Sequence, residues 1–151
     1  MSKPALPAEG ECRCGKVRFR ITAPPLFTAA CHCTGCQRMS ASAFSLTAAI
    51  PTAAFEVIHG KTVVGGLHGK DSAHQFCAWC MTWMFTRLPE PFGIVNVRPT
   101  MLSDPSWFTP FVETFTSEKL TWARTPAVHS YATFPPMDQF EALVAEYAAL
   151  T

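Results

Sequence analysis

Cys12 and Cys14 stand one residue apart, Cys77 and Cys80 stand two residues apart, and between these pairs runs Cys31-His32-Cys33-Thr34-Gly35-Cys36. These are the only 7 cysteines of the chain. Thiolates are zinc ligands, and two of them one or two residues apart can reach one ion from a tight turn. The outer pairs together make a set of four, which closes a tetrahedral site. The middle three leave one coordination position open, as zinc catalysis requires. An ion held by those three would carry water or a substrate thiolate. Zinc lowers the pKa of a bound thiol and keeps the thiolate available as a nucleophile at neutral pH, or it polarises a small carbonyl.

Local geometry supports the division. Gly15 follows the first pair and suits a tight turn, because glycine tolerates positive φ. The second pair lies far along the chain, so one ion on Cys12, Cys14, Cys77 and Cys80 would clamp two distant hairpins and stabilise the fold. On an extended segment Cys31 and Cys33 point one way and His32 the other, which suits His32 to orienting and hydrogen bonding. Cys36 returns from the following turn to complete a facial set. Two alternatives stand beside the open site. One is a second closed site with a fourth ligand from His59, His68, His74 or His129, a structural clamp in a non-catalytic zinc-stabilised module that binds a protein partner. The other is a metal-free redox set that forms a Cys31–Cys36 or Cys33–Cys36 disulfide.

Composition bounds the setting. With 48% apolar and 15% charged residues the chain is a folded globule and not a disordered segment, and 151 residues make one domain over 1–151. A net charge of +1 gives no electrostatic reason for a nucleic-acid or anionic-membrane partner. No apolar run approaches the ~18 residues of a membrane span, and the start, Met1 to Pro7, lacks the apolar core of a secretory signal. An odd number of cysteines in Cys-x-Cys and Cys-x-x-Cys clusters points to metal binding in the cytoplasm, not to structural disulfides. The apolar fraction also leaves room for a homodimer face.

The elements that must position the cysteines are short strands. Lys16–Thr22 alternates, with Val17, Phe19 and Ile21 on one face. Further strand-like runs are Phe44–Ile50, Phe55–His59, Lys61–Leu67, Thr82–Thr86, Gly93–Val97 and Phe111–Thr116. The 13 prolines and 8 glycines punctuate them in the manner of an all-β domain. One sustained helix is expected over Asp138–Ala149, with Phe140, Leu143, Val144 and Tyr147 on one face and an Asp138/Glu141 capping box. A shorter helical turn is expected over Thr34–Ser40. Trp79, Trp83, Trp107 and Trp122 read as buried packing, Arg38 as a surface residue, and Ser40 and Ser42 as candidate donors beside a bound thiol.

Three ordered segments carry a family resemblance. They are Gly10-Glu11-Cys12-Arg13-Cys14-Gly15-Lys16-Val17, Cys31-His32-Cys33-Thr34-Gly35-Cys36-Gln37-Arg38 and Phe76-Cys77-Ala78-Trp79-Cys80. Met101-Leu102-Ser103-Asp104-Pro105 and the Glu113 to Trp122 stretch agree as well. Over about residues 8–135 the chain resembles the glutathione-dependent formaldehyde-activating enzymes, a family that includes centromere protein V. The resemblance implies an all-β, β-tent-like zinc-binding domain of short antiparallel strands with two zinc ions per chain, to which this chain adds its C-terminal helix. By matching positions, Cys12, Cys14, Cys77 and Cys80 would hold a structural zinc, and Cys31, Cys33 and Cys36 a catalytic one. The implied substrates are a small thiol and a small aldehyde. The founding reaction adds glutathione to formaldehyde to give S-hydroxymethylglutathione and is classed as a carbon–sulfur lyase. The family usually has glycine where this chain has Ala41 and Met81.

Overall fold

A computed structural model describes residues 1–66 and 72–150. Among them run β1 (Ala8–Glu11), β2 (Arg18–Ile21), β3 (Thr28–Cys31), α1 (Thr34–Ser40), β4 (Ser45–Pro51), β5 (Phe55–His59) and β6 (Thr62–Val64). They are followed by β7 (Ala73–Cys77), β8 (Trp83–Arg87), β9 (Ile94–Val97), β10 (Val112–Thr114), β11 (His129–Ser130) and α2 (Phe140–Ala149). The architecture is mostly β with a C-terminal helix. No helix among the described residues is long and apolar enough to cross a membrane.

The strands form two sheets. A small one has the order β1-β2-β5, and a large one the order β11-β10-β3-β4-β9-β8-β7-β6. Pairing is antiparallel except around β10, which runs parallel to both β3 and β11. The alternation that runs from Val17 through β2 buries Val17, Phe19 and Ile21 almost completely. These side chains meet Phe55 of β5 and, from the large sheet, Ile50, Phe85 and Val97. The main core therefore lies between the two sheets. In β9, Val95 and Val97 enter this core while Ile94 and Asn96 line a cavity on the large sheet's other face, as the two-residue period of a strand dictates.

Each strand-like run of the sequence holds all or most of a strand, with Leu67 of one run and the candidate ligand His68 outside the described residues. The unmarked strands have weaker signals. In β3, Thr28, Ala29 and Ala30 are all buried, so polarity does not alternate. The helix also starts differently from the expected Asp138 cap. A turn of 3-10 helix over Met137–Gln139 leads into α2, with no side-chain capping bond at Pro136 or Gln139. Pro136 is the start of that turn and its carbonyl accepts from the Gln139 N–H at 2.9 Å. Asp138 thus lies inside the turn and not at its cap. The expected apolar face is real: Leu143 and Tyr147 are buried, against Phe111 and Val112.

Ala41 and Met81 stand in the left-handed region, at φ 49° and φ 57°. Ala41 closes α1, its N–H donating to the Gln37 carbonyl, and Met81 closes the turn that donates to the Cys77 carbonyl at 3.1 Å. A Cβ costs about 1 kcal/mol or more in this conformation, part of which glycine returns through its greater unfolded-state entropy. Ala41→Gly and Met81→Gly are each expected to stabilise the fold by about 0.5–1 kcal/mol and to raise the melting temperature by about 2–3 °C. A lowered melting temperature in either variant would contradict this reading of the two turns.

Candidate functional site

The loop between β1 and β2 carries Cys12 and Cys14, and the loop between β7 and β8 carries Cys77 and Cys80. Each loop folds around its sulfur. Gly15, at φ 75°, donates to the Cys12 carbonyl at 2.9 Å, and the Val17 N–H reaches Cys12 Sγ at 3.4 Å. In the second loop, the N–H groups of Trp79 and Cys80 both approach Cys77 Sγ, at 3.4 and 3.5 Å. The four sulfurs lie within 4.8 Å of one another, with Cys12–Cys14 at 3.5 Å and Cys14–Cys77 at 3.8 Å. Thiolates held about 2.3 Å from one tetrahedral ion would be about 3.8 Å apart, so this set fits a single metal ion. It also joins the two sheets, since β1 and β2 belong to the small sheet and β7 and β8 to the large one.

The sulfurs of Cys31, Cys33 and Cys36 form a second group within 4.8 Å. Cys31 ends β3, and Cys33 is the residue before α1, where its Sγ accepts from the Cys36 N–H at 3.3 Å. One turn of helix thus folds the third thiol back toward the first two. A hydrogen bond from Cys36 draws the Cys31 thiol down to about 5, against the opposing effect of burial. The same bond, with burial, pushes Cys36 up. The cluster readily holds a thiolate, and a metal ion fits its donor set. Among the described residues no histidine joins either group. His74 lines the neighbouring cavity and bonds Thr86 Oγ1 at 2.9 Å instead.

His32 points elsewhere. It is fully buried, and its Nε2–H donates to Glu113 Oε2 at 3.0 Å. Glu113 also accepts from Lys119 at 2.7 Å, Thr125 at 2.8 Å and Ser130 at 2.7 Å. Burial raises the Glu113 carboxyl, but these four donors outweigh it and hold the group at about 2, below its ordinary 4.5. The neighbouring Glu118 accepts from the Thr34 hydroxyl at 2.7 Å and its backbone carbonyl from Gln37 Nε2 at 3.0 Å. The cysteine loop is therefore bolted to residues 113–118. Glu113→Gln is expected to destabilise by about 3 kcal/mol at neutral pH. Because the folded carboxyl titrates lower than the unfolded one, the gap between wild type and variant is full above pH 4.5 and shrinks as pH falls toward 2. Paired denaturant titrations across that range measure it; a gap independent of pH would refute it.

The three thiols line a cavity of about 420 Å³. Arg98 also lines it, with only 7% of its surface exposed. Its guanidinium lies 4.2 Å from the Trp83 ring centroid and donates to the Asn96 carbonyl at 3.1 Å, while Nε has no hydrogen-bond partner. Burial pushes Arg98 down to about 10, which the charges of Cys36 and Cys31 partly oppose. No carboxylate pairs with it among the described residues. A buried cation facing a cavity is an anchor for negative charge.

Neither Arg98 nor Glu113 stands out as a functional residue in the sequence. The basic residues nearest the cysteine motifs are used elsewhere: Arg18 and Arg20 pair with Glu9 at 2.8 and 2.7 Å, and Lys16 lies over Trp79. Arg38 is exposed. Ser40 donates to the Cys36 carbonyl at 2.7 Å and lines, with Ser42, an adjoining cavity of about 300 Å³. Two tryptophans depart from expectation. Trp83 and Trp107 are buried, but Trp79 and Trp122 are 75% and 71% exposed, because both sit in turns that the sheets do not cover.

A protein of Rhodobacter sphaeroides shares the fold, with a TM-score of 0.52 and 17% identity, covering 63% of this chain and 87% of its own. No curated protein is similar enough to match. The family model described as glutathione-dependent formaldehyde-activating enzyme matches residues 7–118, a span that holds all seven cysteines, Arg98 and Glu113. With most of its length matched and both thiol groups assembled inside that span, the chain belongs to the glutathione-dependent formaldehyde-activating enzyme family.

Proposed function

We propose that the protein adds a small thiol, glutathione or a relative, to formaldehyde or another small aldehyde, a reaction of the carbon–sulfur lyase class, with one structural and one catalytic zinc per chain. The contrast between the two thiol groups carries this reading. The four-thiol group is tied into the core through Cys12 and Cys77, 2% and 1% exposed, whereas the three-thiol group lines a cavity beside a buried guanidinium. Zinc on Cys31, Cys33 and Cys36 would hold the substrate thiol as a thiolate at neutral pH.

The chain's own residues supply the rest. A carbon–sulfur bond forms between the thiol sulfur and the carbonyl carbon, the π pair moves to oxygen, and the thiol's proton ends on that oxygen. Arg98 presents N–H donors to the cavity where the oxygen gains charge, and Trp83 against its face keeps it oriented. The His32–Glu113 bond ties the cysteine loop to β10 and so favours a preorganised set of thiols. Seven unpaired cysteines suit the reducing cytoplasm.

Exchange NMR with ¹³C-formaldehyde and glutathione tests the reaction. Faster interconversion of free and thiol-bound formaldehyde than in buffer is expected. An unchanged exchange rate with the zinc-loaded protein would reject it.

A further inference from the structure

Formaldehyde is small for this cavity. It is scarcely larger than a water molecule, whose share of liquid volume is ~30 Å³, and the cavity holds about 420 Å³. Beyond the thiols, its floor includes Phe27, Ile94 and Val112 of the sheet side, and its roof is Phe134, Phe140 and Leu143. The roof residues stand in the C-terminal segment, outside the 7–118 that the family model matches. The cysteines therefore lie inside the span that the family model matches, and the apolar roof lies beyond it. Ring contacts hold the roof in place: Phe140 meets Phe27 edge-on at 5.2 Å, and Phe134 meets Phe115 at 4.9 Å.

The adjoining cavity differs in character. Ser40, Ser42 and Thr100 line it among apolar side chains, and it shares Ser45, Trp83 and Arg98 with the first. A charged peptide thiol finds hydroxyl partners there, whereas the lining beneath the phenylalanines is mostly apolar and would compensate its desolvation poorly. The two lobes thus suit two different reactants meeting at Arg98 and the cysteines.

Resting on the reading above, we propose that the aldehyde of this enzyme carries an apolar body, a medium-length alkyl chain or an aromatic ring, seated under Phe134, Phe140 and Leu143. Its carbonyl carbon lies at the cysteine cluster and its oxygen toward Arg98. The thiol sulfur bonds to that carbon, the carbonyl π pair moves to oxygen, and the oxygen takes the thiol's proton. The product is an S-(1-hydroxyalkyl) thioether with no change of oxidation state overall.

Binding and turnover together test this. Calorimetry on the zinc-loaded protein with unreactive amides from acetamide to hexanamide should show affinity rising about fourfold per methylene, the factor expected for burial of apolar surface. Phe134→Ala removes a side chain that is 68% exposed at the rim, and Leu143→Trp fills the buried roof. Both should flatten the series, and the first does so without disturbing the core. With glutathione present, kcat/KM for hexanal should exceed that for formaldehyde at least tenfold, a ratio that falls in both variants. A flat amide series, or hexanal no better than formaldehyde in a protein that consumes formaldehyde, overturns the apolar assignment and leaves the lyase reading standing. A steep amide series with no aldehyde consumed overturns both the lyase reading and the assignment of the cavity to an aldehyde.

Discussion

Cys33→Ser is expected to lower thiol-dependent aldehyde turnover by more than a hundredfold while leaving the protein folded. Losing an outer partner of a metal ligand typically costs about 10–100-fold in metal affinity or activity, and this change removes one of the only three sulfurs proposed to hold the catalytic ion. Serine is the informative replacement because of where Cys33 sits. Its side chain caps α1 by accepting from the Cys36 N–H, and serine is among the best residues for that position. The helix that carries Cys36 therefore persists, and the stability change should stay below about 1 kcal/mol. Exchange NMR and a thermal melt of the same sample separate the two effects. Turnover within a few fold of wild type would remove the cysteine cluster from the reaction.

Cys14→Ser should do the reverse, disrupting the fold as a whole. Cys12 and Cys77 are buried in the core, so changing either would mix lost packing with lost metal. Cys14 is exposed and isolates the metal contribution. A structural zinc contributes about 10–16 kcal/mol of apparent binding free energy, comparable with the whole ~5–15 kcal/mol stability of a domain. Removing one of four ligands from the group that joins the two sheets is expected to leave the chain largely unfolded at 25 °C, read by near-ultraviolet circular dichroism. A native spectrum with a melting temperature within a few degrees of wild type would show that the sheets hold together without the clamp.

Much of this arrangement was legible because metal chelation is local. Two thiols on one turn need only a short spacing, so Cys-x-Cys and Cys-x-x-Cys announce themselves, and the run from Val17 through β2 declares its buried face through Val17, Phe19 and Ile21. What stayed hidden depends on which face of a strand meets solvent. Asn96 and Arg98 alternate with Val95 and Val97, a pattern that fits an ordinary solvated face equally well. Only the fold shows that this face closes over a cavity. Glu113 was hidden for a related reason. Its four donors come from positions 32, 119, 125 and 130, which meet through the parallel pairing of β10 with β3 and β11. Ala41 and Met81 lay between these cases. Their positions were marked as usual glycines, and the positive φ at both supplies the physical reason.

The most direct test of the division into four and three is native mass spectrometry of reduced protein, with Cys33→Ser alongside, before and after glutathione and a chelator. Wild type should carry two zinc ions and form a glutathione adduct. The chelator should take the first ion without changing the folded charge-state distribution, and the adduct should disappear with it. Cys33→Ser should carry one ion, remain folded and form no adduct. Loss of both ions in a single step together with unfolding, or an adduct that survives in Cys33→Ser, would contradict a closed structural site paired with an open reactive one.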